Sequence, residues 1–297
     1  MIASALLLQL QVAGSIVVAG RVARIADGDT VAAAGARVVL HRVGNTVQGP
    51  LDSMIAAGDG GFRFQVMADS GDVLLVSGRW AGVEYFAPPV IPGVSILVIV
   101  ADTASDVPIR TAARHVIIGG PAADGARDVV DLVVLRNADV RTGVGRDSLT
   151  PTWSMALPPL VANLALGDAD FAEDAFDVHD DTLHLFAPVP PGDRQFFLQY
   201  QLAPGAIALD LPLDTGTDTL TILAEEGDLD LSSGMVHQGF EEMQGRRFTR
   251  WSGAGSLGHV RVGFGGSRSL PGWLLPLLIA VLALPLIWGT RKALSRT

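Results

Sequence analysis

Asp168, Asp170, Glu173, Asp174, Asp177, Asp180 and Asp181 crowd into one short stretch, with His179 and His184 among them. Carboxylates at that density suit Ca²⁺, which takes six to eight oxygen ligands, but a standard Ca²⁺ loop needs Gly at its sixth position and Glu at its twelfth. Counted from Asp168, those positions hold Glu173 and His179, so the pattern fails. His179 and His184 are five apart, which on one unbroken strand puts them on opposite faces, so they share no metal unless the chain bends between them. The expected reading is a solvated acidic loop with no metal; Asp168, Asp170, Glu173 and Asp174 are the residues that would hold an ion if there were one.

Other chemistries find less to work with. The sequence has no Gly-x-Ser-x-Gly elbow, no His-Glu-x-x-His pair and no Gly-rich phosphate loop leading into a Lys. Its six His are scattered, and the absence of Cys removes disulfides, thiolate metal sites and Cys nucleophiles together. Carboxylate pairs for glycoside hydrolysis can be drawn from the acidic stretch, but such pairs work in a groove lined by sugar-stacking aromatics, and aromatics make up only 6% of this chain. The expectation is therefore a protein that is not an enzyme and carries no cofactor. One cationic group remains: Arg246, Arg247, Arg250 and Trp251, which either meet a partner or lipid headgroups, or form a polar strand face answered by Glu241 and Glu242.

The element that would position all of this is Leu270 to Gly289, a run of twenty residues without a charge. A helix of that length, rising about 1.5 Å per residue, just crosses the ~30 Å hydrocarbon core of a bilayer. Trp273 and Trp288 stand near its ends, as interfacial indoles do, and Arg291, Lys292 and Arg296 follow at once. Pro276 and Pro285 would break a soluble helix but are tolerated in membrane helices. Cations stay preferentially on the cytoplasmic side. The expected placement is a bacterial inner membrane crossed once, with the preceding domains periplasmic and residues 290–297 a basic cytoplasmic tail. Residues 1–13 read either as a signal peptide without its usual positive start or as a first apolar strand.

The formal net charge is −10, and the part before the anchor is more acidic still, because the last eight residues hold three cations and no acid. Nucleic acid, which demands Lys and Arg, is excluded as a partner.

Between residues 14 and 105 short apolar runs alternate with Gly, Asp and Asn and show no period of 3.6, the mark of strands and turns. Strands are expected over 15–23, 36–43, 62–67, 73–77 and 95–100, with a tight reversal at Gly58-Asp59-Gly60-Gly61. Gly20-Arg21-Val22, then Gly35-Ala36-Arg37-Val38-Val39-Leu40, then Asp59-Gly60-Gly61-Phe62-Arg63-Phe64 resemble the carboxypeptidase-regulatory-like, or transthyretin-like, domain. The resemblance covers about a third of the chain. It implies a β-sandwich acting as a non-catalytic accessory module. The chain departs from that family's pattern at Ser70-Gly71-Asp72-Val73, where a Tyr is usual after the Gly, and in the longer stretch Asn45 to Ala57.

A polar segment with Pro108 marks a boundary, and a second β-sandwich is expected over 106–268, with strands at 115–118, 129–135, 182–186, 195–202, 220–224 and 259–264. Asn137-Ala138-Asp139 and Arg141 to Gly145 read as a connection. The expected fold class is all-β, two antiparallel β-sandwich domains in tandem followed by one C-terminal transmembrane helix. The expected function is a structural or assembly subunit of a membrane complex. Its partners would be integral membrane proteins and the bilayer, with no small-molecule substrate. One concrete version is an extrinsic subunit bracing a photosynthetic reaction centre within its antenna. The competing reading is a free-standing surface module that binds glycan or Ca²⁺.

Overall fold

The computed structural model describes residues 14–264, apart from 27, 45–47, 69–70, 160, 215–216, 226–228, 232–233 and 255–257. Residues 1–13, the apolar run 270–289 with Trp273, Pro276, Pro285 and Trp288, and the tail with Arg291 and Lys292 lie outside the described residues. Among the described residues no helix is long and apolar enough to cross a membrane.

The described chain is all-β. Its first strands are β1 (Gly14–Ala26), β2 (Asp29–Ala32), β3 (Arg37–Val43), β4 (Gln48–Ile55), β5 (Gly61–Ala68), β6 (Val73–Trp80), β7 (Val83–Phe86), β8 (Ile96–Val100) and β9 (Thr103–Ala104). They are followed by β10 (Ile109–Ile118), β11 (Arg127–Asn137), β12 (Thr142–Gly143), β13 (Trp153–Ala156) and β14 (Val161–Ala169), then a 3₁₀ turn at Glu173–Ala175. The rest are β15 (Phe176–His179), β16 (Thr182–Leu185), β17 (Gly192–Leu202), β18 (Ala208–Pro212), β19 (Thr219–Ala224), β20 (Leu229–Leu231), β21 (Val236–Met243), β22 (Arg246–Ala254) and β23 (His259–Phe264). Two compact units form. One gathers Met1–Ala112, Val134–Met155 and Asp168–Phe196, the other Ala113–Val133, Ala156–Gly167 and Phe197–Thr297. Neither is one continuous stretch of sequence.

In the first unit β1 pairs antiparallel with β5 along Gly14–Arg21 and with β2 along Ala23–Ala26, and takes β8 in parallel along Gly20–Arg24. A second sheet runs β4-β3-β6-β7. Alternate side chains of both sheets, including Val18, Val22, Val38, Leu40, Phe62, Phe64, Val76, Val98 and Val100, meet in one buried cluster, the sandwich-like layering that a period of two predicts. The expected purely antiparallel pairing is not what forms. β8 returns to β1 only after the chain has built the other sheet, and so runs alongside it in parallel, as a long crossover permits. Gly20 marks this close approach: a Cβ there would run into the Ile96 carbonyl oxygen and the Phe62 ring.

The turn at Asp59 forms as the residues suggest. Gly60 takes φ +79°, and the Gly61 N–H donates to Asp59 Oδ1 at 2.9 Å. The stretch Asn45 to Ala57, read as an over-long insertion, contains β4, antiparallel to β3 with a register slip between Leu40 and His41. Its side chains are mostly exposed, so no apolar period announced it.

Residues of the second unit supply most of a seven-stranded sheet, β14-β17-β11-β10-β19-β22-β21, and the whole of a three-stranded one, β18-β23-β20. β10 and β19 pair in parallel, Ala113 against Thr219 through Ile118 against Ala224. Inside this unit lies a buried ion pair. Arg114 and Asp131 are 1% and 0% exposed, joined by Nε and Nη2 donors at 2.6 to 3.0 Å, with Nη1 donating to the Pro212 carbonyl at 2.7 Å. Burial works against the Arg114 charge, but the facing carboxylate outweighs it and moves the guanidinium pKa up.

Candidate functional site

The acidic stretch, expected as one solvated loop, is solvated but built in part from strands. β14 runs to Ala169, Glu173 and Asp174 sit in the 3₁₀ turn, and β15 and β16 form a hairpin around Asp180 and Asp181, whose φ values of 48° and 55° give a tight left-handed reversal. Because that turn falls between them, His179 and His184 lie on the same face, with Asp177 directly opposite His184. Their partners are local. His184 Nδ1 shares a hydrogen with Ser154 Oγ at 2.8 Å, and His179 lies 3.2 Å from Asp180. Asp170 Oδ2 accepts the Gln195 N–H at 2.8 Å. Asp168, Asp170, Glu173 and Asp174 all face solvent, and among the described residues no three His or carboxylate groups converge as a metal would need.

The cationic group is also dispersed. Arg246 pairs with Glu225, Arg247 lies 3.8 Å over the Phe240 ring, and Arg250 reaches Glu241 at 3.6 Å. Trp251 is buried, edge-on to His237. Glu225 also accepts the Gly120 N–H, and with Arg246 this holds its carboxyl below the usual range.

A groove of about 680 Å³ in the first unit is the feature with the shape of a docking surface. One side is β7 with the end of β8, each the last strand of its sheet among the described residues. Phe86 and Ile99 are 59% and 45% exposed there, and Val140 faces them at 48%. Pro188, Pro190 and Pro191 supply a stiff wall without backbone donors, and Arg79, Glu84, Asp170 and Arg194 supply the charged groups of the lining.

Each wall is held by a traceable polar contact. Beneath β7, the buried Tyr85 hydroxyl donates to the Ala101 carbonyl at 2.9 Å and lies 2.7 Å from Thr142 Oγ1; burial pushes its phenol pKa up. On the other face of β7, Ser77 Oγ donates to Glu84 at 2.6 Å and meets His41 Nε2 at 2.8 Å, while the His41 ring packs 5.3 Å from Phe86. The Ser77, His41 and Glu84 combination suggests hydrolysis on paper, but Ser77 is 0% exposed and its proton goes to the carboxylate, so no substrate reaches it. Asn137, almost fully buried, donates to the carbonyls of Arg141 and Val189, both at 2.8 Å, and accepts the Asp139 N–H at 2.9 Å, which ties the Val140 wall to the proline wall. Asp139 in turn accepts from Arg141, which lowers its carboxyl pKa to about 2. Phe171 stands edge-on to Phe176, itself packed on Phe196.

From the sequence, Asn137 is legible only as part of a connection. The groove residues come from segments far apart in the chain, and no local pattern announces that they meet. No protein-family model matches the chain, and no curated protein matches it.

Proposed function

We propose that the protein is a non-catalytic structural subunit of a membrane complex. In this reading two tandem β-sandwich domains, the first of the carboxypeptidase-regulatory-like kind, are held at the bilayer by a transmembrane helix over Leu270–Gly289. An extended segment of a partner docks in the groove along β7 and β8. The observation that carries the reading is the pair of open strand edges bordered by exposed Phe86, Ile99 and Val140: unpaired edges offer backbone hydrogen bonds to an added strand, and the side-chain pockets give it specificity. The photosynthetic version has no residue behind it and is not carried further.

The test is a photo-reactive phenylalanine analogue at Val140 in the full chain, irradiated in native membranes, with mild extraction, native sizing and mass spectrometry. A stoichiometric adduct with one integral membrane protein supports the proposal. A lone species that takes up glycan or Ca²⁺ supports a free-standing ligand-binding module in its place.

A further inference from the structure

We propose that loop 203–207 of the second unit is a second contact with the bilayer, a rigid apolar tip seated among the lipid headgroups beside the end of β23, the last strand among the described residues. The proposal rests on the reading of Leu270–Gly289 as a membrane anchor.

Loop 203–207 reads Ala-Pro-Gly-Ala-Ile and has no polar side chain. The Ala206 N–H donates to the Ala203 carbonyl at 3.0 Å and Gly205 takes φ +77°, so Pro204-Gly205 form a tight turn whose shape is set before any contact is made. Ile207 is 76% exposed, costly for a β-branched apolar side chain held in water. Pro121, Ala122 and Ala123 are exposed on the adjoining turn, where a Cβ on Gly125 would come within 3.8–3.9 Å of Gly205 and Pro204.

This tip lies beside Phe264, the last described residue. The Phe264 N–H donates to the Ile207 carbonyl at 2.9 Å, and Ala208 pairs with Gly263. From Phe264 to Leu270 is a short walk of six residues, at most ~22 Å even if fully extended. An anchor beginning at Leu270 therefore keeps Ile207 within reach of the headgroup layer, several ångströms deep on each side of the hydrocarbon. The charges nearby are answered locally: Arg261 by Asp210, Arg246 by Glu225, and Arg127 by stacking on Phe264. Asp124 and Asp128 add negative charge at the same end. With these cations paired, the contact made by the tip itself is apolar.

Because the sequence has no Cys, Ile207→Cys gives a single attachment point for a polarity-sensitive fluorophore in the full chain. His259→Cys is the reference, exposed at the start of β23, ~17 Å from Phe264 at about 3.3 Å per residue. In phosphatidylcholine vesicles carrying a lipid with a shallow spin label, the fluorophore at 207 is blue-shifted and loses about half its emission or more, while that at 259 is unchanged; Ala203→Cys behaves as 207 does. Raising salt or adding anionic lipid leaves these values where they are. Vesicle flotation separates the two readings. A chain that floats with equal, water-like emission at 207 and 259 overturns this proposal alone, and quenching that disappears with salt overturns its apolar form. A chain that does not float overturns the anchor and this proposal with it.

Discussion

Arg114 and Asp131 occupy positions that alternation assigns to the interior, in phase with Val116 and Ile118 on one strand and Val129 and Val133 on the other. A buried pair is held by partners that exclude water, and removing one leaves the other charge uncompensated. Arg114→Met should therefore lower unfolding stability by about 3–5 kcal/mol, whereas Arg114→Met with Asp131→Leu should recover most of it. Denaturant titration of the three proteins reads this directly; equal losses in single and double variants would mean the pair is held by something other than mutual charge. Neither residue stood out as a candidate, since each is an ordinary charge in a charged chain until its neighbours are known. The acidic residues from Asp168 onward did stand out by density, yet density alone does not converge ligands.

At the scale of elements, β1 carries the first unit, pairing with three strands in two directions. Gly20 is where the Ile96 backbone comes closest, so Gly20→Ala should cost about 1–3 kcal/mol as overpacking, measurable as a lower denaturation midpoint with an unchanged slope. Gly60→Ala is a different experiment, since its cost arises from φ +79° as well as from contact with the Val22 carbonyl. Strands with an apolar run, such as β1, β6, β17 and β19, were legible in advance. β4, β15 and β21 were not, because edge strands with exposed faces have no buried side chain to impose a period.

For the whole molecule, the anchor reading makes a prediction independent of any partner. The full chain should enter the detergent-rich phase on temperature-induced partition, and a chain ending at Phe264 should stay in the aqueous phase, because residues 270–289 hold its uncharged run of membrane length. Equal partition of the two would remove the anchor. By itself the sequence determined the strand-rich character, the turn at Asp59 and the want of thiol chemistry, all of which follow from residue type and short spacing. Only the tertiary structure decided that β8 runs parallel to β1, that His179 and His184 share a face, and that Phe86, Val140 and three prolines line one groove. Those are contacts between residues distant along the chain, brought together by sheet pairing and core packing, and a local period carries no information about which strand will be its neighbour.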